Sequence, residues 1–140
     1  MVITKRLGVN RIYSVMGSLK ESEANIQKAI LDWGKVMRIP MRRMNVIGTP
    51  YQKNGLTYFR KAPNAGMADI HCELMVAGIP ISVWLECKAR GGKLSETQIN
   101  FRDGVTSYGG FYYVVRSIED VQSAFDNILA DTRVFKLMNA

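Results

Sequence analysis

Residues 66–98 read GMADIHCELMVAGIPISVWLECKARGGKLSETQ, and the rest of the chain is organised around them. From residue 70 onward Ile70, Cys72, Leu74 and Val76 alternate with His71, Glu73 and Met75, the period-two pattern of a half-buried strand. Asp69, at the start of this run, points away from its apolar side. After the Gly78-Ile79-Pro80 break, Ile81, Val83, Leu85 and Cys87 alternate with Ser82, Trp84, Glu86 and Lys88, so Glu86 and Lys88 share a face. A connection this short and containing glycine predicts two adjacent antiparallel strands. Asp69 then lies beside the Glu-x-Lys that ends the second strand, and two carboxylates and an ammonium converge at one end of a sheet.

Carboxylates aimed at one point form a hard oxygen site suited to Mg²⁺ or Mn²⁺, and a backbone carbonyl such as that of Cys87 adds a further ligand. An ion held there would polarise a phosphoryl oxygen and lower the pKa of its bound water. Lys88 would orient that water or neutralise the phosphate. On its own, a Glu-x-Lys on a strand is more often a solvated pair without a chemical role.

The order Gly66-Met67-Ala68-Asp69, Glu86-Cys87-Lys88, Leu94-Ser95-x-x-Gln98, Gly109 and Val114-Val115-Arg116-Ser117-x-Glu119-Asp120-Val121 resembles the VRR-NUC family, a branch of the PD-(D/E)xK nucleases. The likeness runs over residues 18–130. It departs at Met67-Ala68, where many members carry a proline before the metal-binding acid; that proline shapes backbone and ligates nothing. The resemblance implies a restriction-endonuclease-like α/β fold spanning 1–140 as a single domain, and Mg²⁺- or Mn²⁺-dependent hydrolysis of DNA phosphodiesters. It implies Glu23, in a Ser-Glu-x-x-Ile-Gln helix, as a third metal-binding acid beside Asp69 and Glu86, and Gln98 as a neighbour of the acids. Small lone-domain members look like dimeric phage or bacterial nucleases, some acting on branched or Holliday-junction DNA. A homodimer and a cytoplasmic setting, in a bacterial or phage-infected cell, are the matching expectations.

Composition fits an anionic partner. Lys and Arg number 19 against 12 Asp and Glu, giving a net charge of +7 and a pI near 9.6, which favours nucleic acid. No run of about 18 apolar residues is present to span a bilayer, and residues 1–8 lack the apolar core of a secretory signal. Cys72 and Cys87 fall on the apolar sides of their strands and read as small hydrophobes in a reducing compartment. His71 and Cys72 are strand neighbours pointing to opposite faces, which excludes a shared zinc site. His71 is the only histidine, which weighs against Ser-His or Cys-His nucleophiles.

Along the chain, residues 1–17 show no clean period. Ser18-Leu19-Lys20-Glu21 fits a capping box and Ser22 offers a second N-cap. Ile26, Ile30, Trp33 and Met37 recur at helical spacing with Glu23 on the same stripe, where a carboxylate either meets a cation or metal or simply favours the helix dipole. Gln27 lies one turn on, able to support Glu23 or touch a phosphate. Residues 41–48 read as a basic strand, 49–55 as a loop with an Asn-Gly turn signal, and 56–60 as a strand. Arg60 and Lys61 precede the site and suit phosphate; Tyr51, Tyr58 and Phe59 either stack on bases or pack. Ala89-Arg90-Gly91-Gly92-Lys93 is a flexible basic loop suited to DNA backbone. Ser95-Glu96-Thr97-Gln98 is a capping box, so Gln98 has a structural role competing with the one the resemblance implies. Residues 111–116 form a continuous apolar run, predicting a central strand parallel to its neighbour. Ser117 caps a last helix carrying Ile118, Val121, Phe125 and Ile128, and the greasy tail from Asp131 packs on the core or on a second subunit.

The predicted architecture is a mixed sheet of about five strands flanked by helices on both sides. Two rival readings remain: a nucleic-acid-binding module of the same fold without catalysis, and a basic interaction domain with no DNA role.

Overall fold

The structure, a computed structural model, describes residues 21–44, 49–60 and 64–140. The first helix among the described residues, α1 (Glu23–Val36), starts where Ser22 adopts extended backbone and its hydroxyl accepts the Asn25 N–H at 3.2 Å. The Ser18 capping box falls outside the described residues. Ile26 and Ile30 of the expected stripe are buried and Trp33 packs on Phe125, but Met37 is the exposed C-cap. Gly34 takes its place beneath Met41, which crosses the helix where no side chain stands in the way. Arg38 then adopts φ +56°, with its N–H on Lys35 O and the Ile39 N–H on Gly34 O. This is the paired-bond helix stop usually built on glycine, and Pro40 prevents continuation.

The main sheet has four strands in the order β1 (Met41–Arg43), β4 (Ile70–Val76), β5 (Ile79–Cys87), β6 (Phe111–Val115). β4 pairs antiparallel with β1 and β5, and β6 runs parallel to β5. Ala77 and Gly78, both at positive φ, form the two-residue turn joining β4 to β5 and set the register Val76↔Ile79. Pro80 is tolerated in β5 because the β6 ladder begins only at Val83.

Several expectations are corrected. Among the described residues the main sheet has four strands rather than five, and β2 (Thr49–Lys53) and β3 (Leu56–Arg60) form a separate two-stranded ribbon. Residues 49–53, expected as loop, are strand: Pro50 needs no amide partner where both strands are edges, and Asn54 and Gly55 at φ +53° and +73° close the turn. Among the described residues β6 lies at the edge of the sheet rather than at its centre. Its apolar run reflects residues packed from both faces, the core and Phe101, with Val114 exposed, and carries no information about hydrogen-bonding neighbours. Of the expected strand 41–48, only Met41–Arg43 pairs, and residues 45–48 lie outside the described set.

One face of the sheet, bearing Ile70, Cys72, Val83, Leu85, Cys87 and Val115, packs with α1, α3 (Ile118–Ala130) and α4 (Thr132–Met138). Ile30, Val121, Ile128 and Val134 close this core. Full burial of each such side chain contributes roughly 1.5–3 kcal/mol, and Val134 draws the C-terminal helix onto the body as one of the two expected positions for the tail. The opposite face carries His71, Trp84, Glu86 and Tyr112 and is covered by α2 (Glu96–Ser107), whose Phe101 meets Trp84 edge-on at 5.1 Å and Tyr112 at 6.2 Å. Among the described residues, no helix is long and apolar enough to cross a membrane.

Gly66 fixes α2 against the approach to β4. At φ +91° it is in the region that disfavours side chains, and a Cβ there would run into the Thr97 carbonyl. Gly78, at φ +77°, faces open space. Gly66→Ala should therefore cost strain of roughly 1–3 kcal/mol plus a displacement of α2, whereas Gly78→Ala bears the conformational cost alone. Thermal melts of the two variants check this, with Gly66→Ala expected to melt clearly lower.

Candidate active site

Asp69 stands where β4 begins, Glu86 and Lys88 where β5 ends, Glu23 at the first turn of α1 and Gln98 at the first turn of α2, so five positions from four elements meet at one sheet end. Lys88 joins them. Its Nζ lies 3.5 Å from Glu86 Oε1 and 3.9 Å from Glu23 Oε1, and the side chain is only 10% exposed. Its backbone N–H bonds to Val115 O, so the β5–β6 ladder fixes where the lysine stem leaves. Asp69 Oδ2 accepts the Cys87 N–H at 2.8 Å, tying the start of β4 to the end of β5.

The Gln98 amide resolves the competition between its two expected roles by serving both. Oε1 accepts the Ser95 N–H at 2.9 Å, completing the capping box, while Nε2 donates to Glu86 Oε1 at 2.7 Å. A backbone N–H can only donate, so the cap fixes which end of the amide faces the acid.

Glu86 is the most confined charge. It is 1% exposed, and its Oε2 is buried with no hydrogen-bond partner. Burial, then the neighbouring Asp69 carboxylate, pushes its pKa up to about 7, against the opposing pull of Lys88. Asp69 is also raised, first by burial, although the Cys87 N–H and the cations Lys88 and Arg43 oppose the shift and Glu23 adds to it. The three carboxylates thus repel one another across a common space.

Among the described residues, no three His, Cys, Asp or Glu side chains are already gathered into a metal-holding cluster. Lys88 stands between Glu23 and Glu86, and one Asp69 oxygen is occupied by an amide. The donor set nevertheless suits Mg²⁺ or Mn²⁺: Mg²⁺ usually draws only one or two carboxylates from a protein and keeps several waters, and the unpartnered Glu86 Oε2 is an oxygen of that kind.

Other expected contributors fall elsewhere. Arg60 lies over the Tyr51 ring on the ribbon, and Lys61 is outside the described residues. Arg43, at the end of β1, supplies the nearby cation instead, which the sequence concealed because only the β1–β4 register Arg43↔Ile70 brings it close. His71 bonds Ser82 Oγ at 2.7 Å and packs on Trp84, with no contact to the acids. Gln27 is buried on α1. The loop of residues 89–93 is pinned, not free: Gly92 N–H bonds Ala89 O, the Arg116 guanidinium donates to Gly92 O at 2.9 Å, and Arg90 and Lys93 are exposed. The sequence reading missed Tyr112, whose hydroxyl is buried without a partner and whose pKa is raised by burial and by Glu86. Its signal was the parallel register Trp84↔Tyr112, invisible before β6 was placed. Cys72 and Cys87 are free, buried thiols, that of Cys72 pushed up to about 12, and neither is a nucleophile.

Comparison with family models, with curated proteins and with solved structures found no match.

An acid that ionises near 7 when folded and at the usual 4.5 when unfolded holds its proton more tightly in the native state. Stability is then highest below about 4.5 for this group and falls as pH rises from there to about 7, by roughly 3 kcal/mol. Melts in EDTA should show Glu86→Gln stabilised relative to the wild type at about pH 8, with the gap closing as the pH falls towards 5.

Proposed function

We propose that this protein is a Mg²⁺- or Mn²⁺-dependent nuclease that hydrolyses phosphodiester bonds in DNA. The observation that carries the reading is the buried, unpartnered Glu86 Oε2 at a sheet end where Asp69, Glu23 and the Lys88 ammonium also converge. Leaving a carboxylate oxygen buried without a partner is costly, and the cost makes sense where a cation shares the space. Asp69 and Glu86, with Glu23 and the Cys87 carbonyl, would hold the ion. Bound there, it would polarise a phosphoryl oxygen and activate water.

The chain's own groups supply the rest. Lys88, held by two carboxylates and nearly buried, is a fixed cation against charge building up on the phosphate. Gln98 holds the Glu86 carboxylate in one orientation, and the cap it makes with Ser95 keeps the amide from rotating away. Arg90 and Lys93, exposed on the pinned loop beside Lys88, suit contacts along the DNA backbone that fix position without reading sequence. The excess of positive charge supports an anionic substrate. The order of acids, lysine and glutamine supports a VRR-NUC-type, restriction-endonuclease-like domain, and with it a homodimer acting on branched or Holliday-junction DNA. Two buried free thiols suit a reducing cytoplasm.

The test is cleavage of labelled linear, flap, splayed and four-way DNA with Mg²⁺ or Mn²⁺, with EDTA as control. Cutting is expected only with metal. Asp69→Ala, Glu86→Ala and Lys88→Ala should each lower the rate by about a hundredfold or more while the variants stay folded. In parallel, Mg²⁺ should raise the melting temperature of the wild type but not of Asp69→Ala. Wild-type protein that binds DNA without cutting it under any metal is instead a binding module of this fold.

A further inference from the structure

The net charge of the chain is confined to one segment. Residues 33–68 carry seven Lys and Arg and no acid, while the remainder balances twelve cations against twelve carboxylates. The β2–β3 ribbon lies within this segment, and all ten of its strand residues are exposed. Opposed residues share a face, so Thr49, Tyr51 and Lys53 stand with Leu56, Tyr58 and Arg60. The Tyr51 and Tyr58 rings stack with centroids 5.6 Å apart at 25°, and the Arg60 guanidinium lies 5.3 Å above Tyr51. Lys53 sits at the turn end and Arg60 at the base, about 13 Å apart along the ribbon at ~3.3 Å per residue. On the other face, Phe59 is 72% exposed.

We propose that this face of the ribbon is a docking platform for unpaired nucleotides of a DNA strand, with bases stacking on the Tyr51–Tyr58 pair and phosphates meeting Lys53 and Arg60. The idea deepens the nuclease reading, on which it rests for DNA as the polymer, by naming the part of the substrate held away from the cut. Three properties of the ribbon favour it. Tyr51 and Tyr58 keep 37% and 42% of their surface exposed, and exposed aromatic rings stack on any base with little dependence on sequence. The Asn54-Gly55 turn holds the rings in place beforehand, so little freedom is lost on binding. The ribbon carries cations and no carboxylate, which suits a polyanion and opposes pairing with a second copy of itself.

The measurement is anisotropy of a fluorescein-labelled oligo(dT) and of a blunt duplex of equal length, both in EDTA so that cleavage plays no part. The wild type should prefer the single strand. Tyr51→Ala/Tyr58→Ala should lose oligo(dT) affinity by about tenfold or more, while Tyr51→Phe/Tyr58→Phe keeps it. Circular dichroism should show the main body unchanged, since neither ring belongs to its core. The proposal fails if the alanine pair binds oligo(dT) like the wild type, or if the phenylalanine pair loses as much as the alanine pair. It also fails if the alanine pair changes only the sedimentation of a dimer, or only binding to phosphatidylserine vesicles. Because Asp69, Glu86 and Lys88 are untouched and metal is absent, this binding measurement reads the platform separately from the chemistry of cleavage. An inactive enzyme, conversely, would still bind through the ribbon.

Discussion

A carboxylate held almost entirely out of water is the constraint around which this molecule is built. Glu86 belongs to a strand that is buried from Leu85 to Ala89, and it comes at a position where a hydrophobe would stabilise the fold more. The structure meets part of the cost with the Gln98 amide and the Lys88 ammonium and leaves the rest unmet, with one oxygen unpartnered and the pKa pushed to about 7. The neighbouring elements follow from this. The α2 cap has glutamine at its third residue because the same amide closes the helix end and holds the acid. Gly66 is needed because α2 must approach closely enough for that amide to reach.

Much of this was legible in the sequence because strand periodicity and cap chemistry are local. The alternation in residues 70–88 gave the pair of antiparallel strands and the common face of Glu86 and Lys88, although the expected Gly78-Ile79-Pro80 break is an Ala77-Gly78 turn with Ile79 and Pro80 already in the strand. The Ser22, Ser95 and Ser117 caps marked three helix starts, all of which the structure places as read. Gathering Glu23 with the other acids was a different matter. On a helix, its stripe was equally consistent with a dipole contact, and only the resemblance singled it out; the 3.9 Å approach to Lys88 depends on how α1 lies across the sheet end.

What the sequence hid was non-local. Pro50 disguised β2, although an edge strand needs no amide at that point. The apolar run of β6 told of packing on its faces and nothing of its place at the sheet edge among the described residues. Arg43 and Tyr112 reach the acids only through strand pairing, so no window of sequence contains them together with the residues they influence. Arg60 erred the other way: close to Asp69 in number, it lies over a tyrosine on the ribbon.

Lys88 explains how such a site stays assembled before any cation arrives. Three mutually repelling carboxylates at a sheet end would splay apart, and a single ammonium within 4 Å of two of them offsets that repulsion without the strict geometry a metal demands. Under the proposed function, a divalent ion held by Glu86 and Glu23 would compete with the lysine for them. The Lys88 backbone is fixed by its N–H to Val115 O, so the β5–β6 ladder sets where the ammonium stands. The ion pairs that hold the metal-free site together and the cation that meets the substrate are, in this view, the same side chain in two settings. Arginine would not substitute, because its planar fork would hold the carboxylates bidentately and be slower to release them.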